Sequence, residues 1–518
     1  MPFSFEVKET DLLGRVGVLK VGGKTLETPC LLPVVHPVNQ VISTKELGAM
    51  GFRGLMTNSY IIRSRRKNEA LRDGIHEMLG FDGVLMTDSG GYQVLEYGDL
   101  EIGYGEVASF QADIGSDLAV TLDRPTGYPQ SRRAAEDSVD YSLRNAFSTI
   151  KEYGNRETVW MGPVQGGLYQ DLVSKSAASL WKAGFEFLAL GSPVQIMENY
   201  MFDDLLRMVV AARRPIPYSV PLHLFGAGHP LTMALVVALG CDTFDSASYA
   251  LFARNGRYMS HGGVLSLETM KYLPCSCPVC AKTSVRDLHD LDVRDRAKLV
   301  ATHNLFMLRE EVEACKEAIA EGRLWDLVEE KSMAHPRLRD AFVELSKHRE
   351  LLVEGTPLLK DRGLMLRSEE DLERPELVSA GKRLEGVLKG TLKGTPREAV
   401  LLASWDFLPV GKRRRGSAIS DGTSDTYRIH PALGVYPAEL DFVYPFTQFV
   451  TAAGIGGRMS VKEASARLRK LGYGSVKVSK AKVGGGNPPR RVTSRRNRRG
   501  ASPSALSSSP RLRSPQRP

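Results

Sequence analysis

The stretch Val159–Ser192, VWMGPVQGGLYQDLVSKSAASLWKAGFEFLALGS, reads as strand, helix, strand. Val159–Gln165 and Phe187–Ser192 are nearly continuous in apolar residues, and Asp171–Ala183 between them reads as a helix. Runs that are apolar throughout, rather than alternating, belong to parallel strands buried on both faces. The same unit recurs on either side. Cys30–Val35, Gly54–Asn58, Gly83–Asp88 and Leu118–Asp123 precede it, and Leu222–Gly226 and Thr243–Ser246 follow, with helical stretches such as Arg132–Lys151 and Leu231–Leu239 between. Eight strand–helix units in about 250 residues predict an α/β protein of the (β/α)8, TIM-barrel type. The rival, an open doubly wound sheet, usually has fewer units and a glycine-rich phosphate turn after its first strand. No such turn follows Cys30–Val35.

The rest of the 518 residues divides by composition. Asp292–His348 is helix-rich, with Leu299, Phe306, Leu308 and Val312 at helical spacing. Glu354–Arg397 is charged and broken by Gly and Pro, whereas Ala399–Val410 and Tyr436–Phe449 look like parts of a small accessory domain. From about Gly484 the chain is Arg, Ser, Pro and Gly, a composition that stays disordered on its own. The expected division is 1–348, a catalytic barrel; 349–483, an accessory region; and 484–518, a disordered basic tail.

Charge follows this division. Thr451–Pro518 carries 17 Lys/Arg against one acid, Glu463, whereas the preceding 450 residues carry 52 basic and 59 acidic residues. A basic end on a near-neutral body suits an anionic partner, above all nucleic acid; composition alone equally allows a solubilising tail. At 42% hydrophobic and 25% charged the chain is globular in composition. Its longest apolar run, near Leu231–Cys241, reaches about half of the ~20 residues a membrane span needs. Met1–Asp11 lacks the shape of a secretory signal, and six cysteines, three of them within Cys275–Cys280, do not make a disulfide framework. The expectation is a soluble cytoplasmic protein with no membrane contact.

In a barrel of this class the loops after the strands build the active site. Asp88 ends the third run, Asp123 the fourth, Gln165 the fifth, Gly191 the sixth and Asp245 the eighth. A lone Asp after a strand is ordinarily a turn residue or a helix N-cap. Three of them with an amide on one rim, and Gly-Gly turns after Asp88 and Gln165, suit chemistry better. Two carboxylates flanking a sugar carbon can divide a glycosidic exchange into two displacements, one attacking and one handling the proton. A third, acceptor-only when ionised, suits a purine edge with two adjacent N–H donors, which guanine has and adenine lacks. Gln165 can donate to a carbonyl oxygen, Tyr92 can stack on a flat ring, and the glycine pairs would let the backbone approach it.

A second constellation is Cys275-Ser276-Cys277-Pro278-Val279-Cys280 followed by His303. Three thiolates and an imidazole make a four-ligand, structural zinc site that would pin the segment after the last strand to the following helix. His261 and His289 are alternative candidates for the fourth position.

Together these residues resemble the tRNA-guanine transglycosylase family, its archaeal branch in particular. The resemblance rests on Thr87–Gln93, Leu122–Pro125, Pro163–Gly167, His223–Pro230, Phe244–Ala250 and Cys275–Cys280, and spans about Gly17–His348 in consistent order. It implies a zinc-containing (β/α)8 barrel, with the zinc-binding insertion after the last strand, that exchanges guanine at position 15 of the tRNA D-loop for 7-cyano-7-deazaguanine in archaeosine formation. It also implies roles. Asp245 would be the nucleophile and Asp88 the general acid/base, an order some conventions reverse. Tyr92 would stack on the base, while Asp123, Gln165 and the Gly191, Ser192 and Val194 segment would read its edge. Cys275, Cys277, Cys280 and His303 would hold the zinc. Family members commonly form homodimers. Archaeal members usually end in an RNA-binding PUA domain; here no clear PUA pattern follows Gly434–Phe449, and the alternatives are a separate subunit that supplies it, the basic tail in partial substitution, or a true end of the chain other than Pro518. The rivals are an archaeosine synthase paralogue, expected to lack these carboxylates and ligands; an enzyme acting on the anticodon wobble position; and a non-catalytic tRNA-binding subunit, which would not need both Asp88 and Asp245.

Overall fold

Each of the eight apolar runs forms a strand, and the eight pair in parallel into a closed ring. The computed structural model describes residues 3–91, 103–390, 398–402, 424–452, 454–457 and 459–479. Three antiparallel strands come first: β1 (Phe3–Asp11), β2 (Gly14–Val21) and β3 (Lys24–Thr28). The ring then runs β4 (Cys30–Pro33), β5 (Gly54–Asn58), β6 (Val84–Asp88), β7 (Leu118–Val120), β8 (Val159–Val164), β9 (Phe187–Leu190), β10 (Leu222–Leu224) and β11 (Thr243–Ser246). β11 pairs with β4, and the ring shuts where Val34 bridges Met56 and the Val35 N–H donates to the Met56 carbonyl at 2.7 Å. Closure leaves no strand edge unpaired. Helices such as Ser59–Leu79, Arg132–Tyr153, Gln170–Lys182 and Phe202–Arg213 surround it.

The antiparallel sheet β1–β3 is an addition to the expected fold. Its Phe3, Leu19, Val21 and Leu26 join the inward side chains Leu32, Met56, Met86, Val120, Met161 and Ala189 in one apolar cluster. Leu26 lies against Gly54 at the start of β5, and the Phe3 ring stacks on Phe187 at the start of β9. The sheet therefore plugs the N-terminal end of the barrel. Buried Arg15 fastens it, donating through Nε to Asp242 Oδ1 at 2.9 Å just ahead of β11. The C-terminal mouth is left for chemistry.

After β11 come the helix Ser248–Arg254, the hairpin β12 (Arg257–Ser260) and β13 (Gly263–Ser266), and the cysteine loop. The long helix Val293–Ala320 then packs back against β4. Asp292 starts this helix, its carboxylate accepting from the N–H groups of Arg294 and Asp295.

The accessory region holds a four-stranded sheet in the order β17 (Gly434–Pro437), β16 (Ser424–His430), β15 (Glu398–Leu402), β19 (Ser475–Ser479), with the helix Val461–Lys470. A short parallel pair, β14 (Leu364–Leu366) and β18 (Phe449–Thr451), has its own small core. Residues 403–410 of the expected Ala399–Val410 element, and the tail 484–518, lie outside the described residues.

Buried charge ties this region to the barrel. Lys360 Nζ donates to Asp11 Oδ1 at 2.7 Å and to Glu376 Oε1 at 2.5 Å, with side-chain exposures of 3%, 0% and 0%. Arg374, also buried, pairs with Asp326 at 2.9 Å, beside Trp325, whose indole N–H donates to Asp371. The positive charges of Lys360 and Arg374 overcome burial and hold the Glu376 carboxyl down at about 2. Removing one partner of such a cluster strands the others without solvent. Lys360→Met is expected to cost about 3–5 kcal/mol and to expose the accessory region to protease. A melting temperature and cleavage pattern equal to the parent's would refute this.

Candidate active site and metal centre

Three carboxylates meet at the C-terminal mouth. Asp88 ends β6, and its Oδ2 accepts from Asn58 Nδ2 at 3.0 Å, from the end of the neighbouring strand. Asn58 thus works twice, since its Oδ1 also caps the helix Ser59–Leu79 by accepting from the Ile61 N–H. Asp123 lies three residues beyond β7, which stops at Val120, short of the expected Asp123. Asp245 sits within β11 and is 6% exposed.

The environment of each is distinct. Burial first, and then the charges of Asp123 and Asp245, push the Asp88 carboxyl up to about 7. Burial likewise raises Asp123 to about 6, against the hydrogen bonds from Gln165 and Ser89. Asp88 and Asp245 stand at the C-terminal ends of parallel strands of one closed ring, so residues distant in sequence share its mouth. Asp245 Oδ1 accepts from the Gly226 N–H at 2.9 Å and lies 3.1 Å from His223 Nε2.

Gln165, one residue past β8, is locked. Its Nε2 donates to Asp123 Oδ2 at 2.7 Å, while Oε1 accepts from the Thr126 N–H at 3.1 Å and from Ser192 Oγ at 2.9 Å. Gly191 packs so closely that a Cβ there would stand 2.2 Å from Gln165 Nε2, and its N–H is spent on the Val164 carbonyl. Ser192 holds φ +65°, its hydroxyl accepting from Thr126 N–H. Val194 begins the short helix Val194–Glu198 and lies over Gly226, beside the donor to Asp245. The glycine after Asp88 likewise meets protein: a Cβ on Gly91 would fall 2.6 Å from Asp123 Oδ1. Tyr92 lies outside the described residues.

Two polar neighbours escaped the sequence reading. Asn58 closes a strand-like run, and His223 interrupts the apolar Pro221-Leu222-His223-Leu224-Phe225. A polar residue in or at the end of a strand buried on both faces is the available signal, but its partner comes from another strand.

The raised Asp88 makes stability depend on pH. The folded protein keeps a proton here that the unfolded chain, near 3.8, releases. Stability from this group is therefore full below pH ~4 and lost as pH rises through about 7. Asp88→Asn should be more stable than the parent by about 4 kcal/mol at pH 8, with the gap closing toward pH 4, and activity should fall. Thermal melts across this range check it; a gap independent of pH would count against a buried, proton-holding carboxyl.

The cysteine cluster is equally defined. One ligand atom from each of Cys275, Cys277, Cys280 and His303 falls within 4.8 Å of the others, an arrangement that could hold a metal ion. His303 turns Nδ1 toward the sulfurs of Cys277 and Cys280, at 3.5 and 3.4 Å. Its Nε2 lies 2.8 Å from the Met259 carbonyl, and Tyr258 stacks on the ring at 3.7 Å. The bond to the Met259 carbonyl fixes which nitrogen would face a metal. The alternatives are engaged elsewhere, His261 with Glu311 and His289 with the Leu267 carbonyl. No helix among the described residues is long and apolar enough to cross a membrane.

Comparison with known proteins agrees with this geometry. The family model described as queuine tRNA-ribosyltransferase matches residues 10–337. A protein of Methanopyrus kandleri named tRNA-guanine(15) transglycosylase is 39% identical over 461 residues, 88% of this chain and 96% of its own length. One of the same name from Aeropyrum pernix is 38% identical over 447 residues, covering 86% and 87%. A third, from Thermococcus kodakarensis, is 42% identical over 387 residues, 74% of this chain and 66% of its own length. With the barrel, the rim carboxylates and the four-ligand cluster all in place, the chain belongs to the queuine tRNA-ribosyltransferase, or tRNA-guanine transglycosylase, family.

Proposed function

We propose that this enzyme exchanges guanine at position 15 of the tRNA D-loop for 7-cyano-7-deazaguanine, the archaeosine-pathway reaction, through a covalent glycosyl-aspartate. The observation that carries the reading is the convergence of Asp88, Asp123 and Asp245 on one mouth, each in a different environment. Asp245 attacks the ribose carbon as the bond to guanine breaks, and the bonding electrons leave on the base. Asp88, poised near neutral pH, supplies the proton and later takes one from the incoming base. Asp123 accepts from the two neighbouring N–H groups of the purine edge. Gln165, holding Asp123 in register, keeps a second amide proton for the base carbonyl, and the Gly191, Ser192 and Val194 segment completes the edge, with Tyr92 as the stacking ring. The target nucleotide must leave the tRNA interior to reach this mouth.

We take zinc as the metal of the Cys275, Cys277, Cys280 and His303 set, because three thiolates and one imidazole suit it and fill all four positions. The catalytic unit is 1–348 and the accessory region 349–483. The basic tail 484–518 adds phosphate affinity, so deleting it should flatten the salt dependence of tRNA binding; an unchanged slope would remove it from the interface. The test of the main reading is incubation with unmodified tRNA and labelled guanine, followed by nuclease mapping. Label at position 15 is expected, and label at the anticodon, or none, would overturn it.

A further inference from the structure

We propose that His223 is a positioning residue that holds Asp245 with one carboxylate oxygen engaged and the other free to attack; the inference rests on the base-exchange reading above. His223 stands in the middle of β10, between Leu222 and Leu224, which belong to the core outside the ring. Alternation along a strand turns His223 to the inside. There it is fully buried, in a layer that an apolar side chain would fill without any need for partners. Both of its nitrogens are used. Nδ1 lies 2.8 Å from Thr243 Oγ1 and Nε2 3.1 Å from Asp245 Oδ1. Thr243 and Asp245 are two residues apart on the adjacent strand β11, whose register sets Thr243 opposite His223, so one face of β11 grips the ring at both ends. An ionised carboxylate only accepts, so the His223 proton sits on Nε2 and points at Asp245, which leaves Nδ1 to accept from the Thr243 hydroxyl.

The Gly226 N–H donates to the same oxygen, Oδ1, at 2.9 Å. Two donors thus converge on Oδ1, and no described residue donates to Oδ2. Oδ2 is the atom left to form the bond to the ribose carbon while the carbon–guanine bond breaks. Oδ1 then becomes the ester carbonyl. A carboxylate accepts hydrogen bonds more strongly than an ester carbonyl does. Donors at Oδ1 therefore favour the free carboxylate, and they speed the second displacement, in which Oδ2 departs with the electron pair as the incoming base nitrogen attacks and yields its proton to Asp88.

The experiment measures two quantities on the full chain with unmodified tRNA: the fraction trapped as covalent RNA adduct when no base is added, and the decay rate of that adduct once guanine is supplied. His223→Leu should hold a larger adduct fraction and resolve it about tenfold more slowly, the size of one charge-assisted bond. His223→Gln, whose amide can reach the same oxygen, should stay within about threefold of the parent, whereas His223→Asn, which is too short, should resemble Leu. Should the Leu variant fail to fold, the Gln and Asn pair decides. Equal decay in parent and variants, or equal slowing in Gln and Leu, would overturn the assignment while leaving base exchange intact. A parent that forms no adduct at all would remove the base-exchange reading, and this inference with it.

Discussion

Asp245→Asn is expected to abolish exchange, on the order of 10⁴-fold or more, without unfolding the protein. The amide keeps an oxygen where Oδ1 now accepts from Gly226 N–H and His223 Nε2, so the local hydrogen bonds survive the change. What would disappear is the anionic oxygen that the proposed glycosyl ester requires. Removing this charge also relieves Asp88, whose raised carboxyl owes part of its shift to Asp245. The variant should therefore melt no lower than the parent, and the adduct band on a denaturing gel should be absent. Exchange above about a hundredth of the parent rate would transfer the nucleophile's role to Asp88, since a missing nucleophile leaves far less.

Much of this site is legible in the sequence because the barrel is built from short runs buried on both faces. Such runs are apolar throughout, and their last residues fall on one rim. Asp88 could be placed from that rule alone, Asp245 with an error of one residue, because β11 runs on to Ser246, and Asp123 with an error of three, because the chain leaves the sheet at Val120 before reaching it. The cysteines were legible for a different reason: their ligand atoms are close in sequence as well as in space. What escaped depends on partners far along the chain. His223 gains its meaning only from the register of β10 on β11, and Lys360 from Asp11, 349 residues away. The plug sheet was missed although Phe3, Phe5 and Val7 alternate with Ser4, Glu6 and Lys8, a period-two signal outside the continuous runs that mark the barrel.

Removing the metal should damage the protein through its fold rather than its chemistry. His303 sits on the helix Val293–Ala320, and the cysteines lie on the loop before it. The His303 Nε2 bond to the Met259 carbonyl and the Tyr258 stack bring in the hairpin as well. One ion would thus join loop, hairpin and the helix that packs on β4, the strand paired with β11 and so with Asp245. Structural zinc contributes about 10–16 kcal/mol in small peptides that have no other core. This helix also buries Val300, Leu305, Leu308 and Val312, so the expected loss is smaller, about 5 kcal/mol. Chelation, or Cys277→Ala, should release about one equivalent of zinc per chain, lower the melting temperature and open the segment 257–292 to protease. Activity should then fall in step with the folded fraction, because a site with four protein ligands has no position left for substrate or water. If the metal-free protein stays folded and fully active, the cluster does not hold the fold together; if it stays folded and inactive, the ion belongs to the chemistry at the mouth.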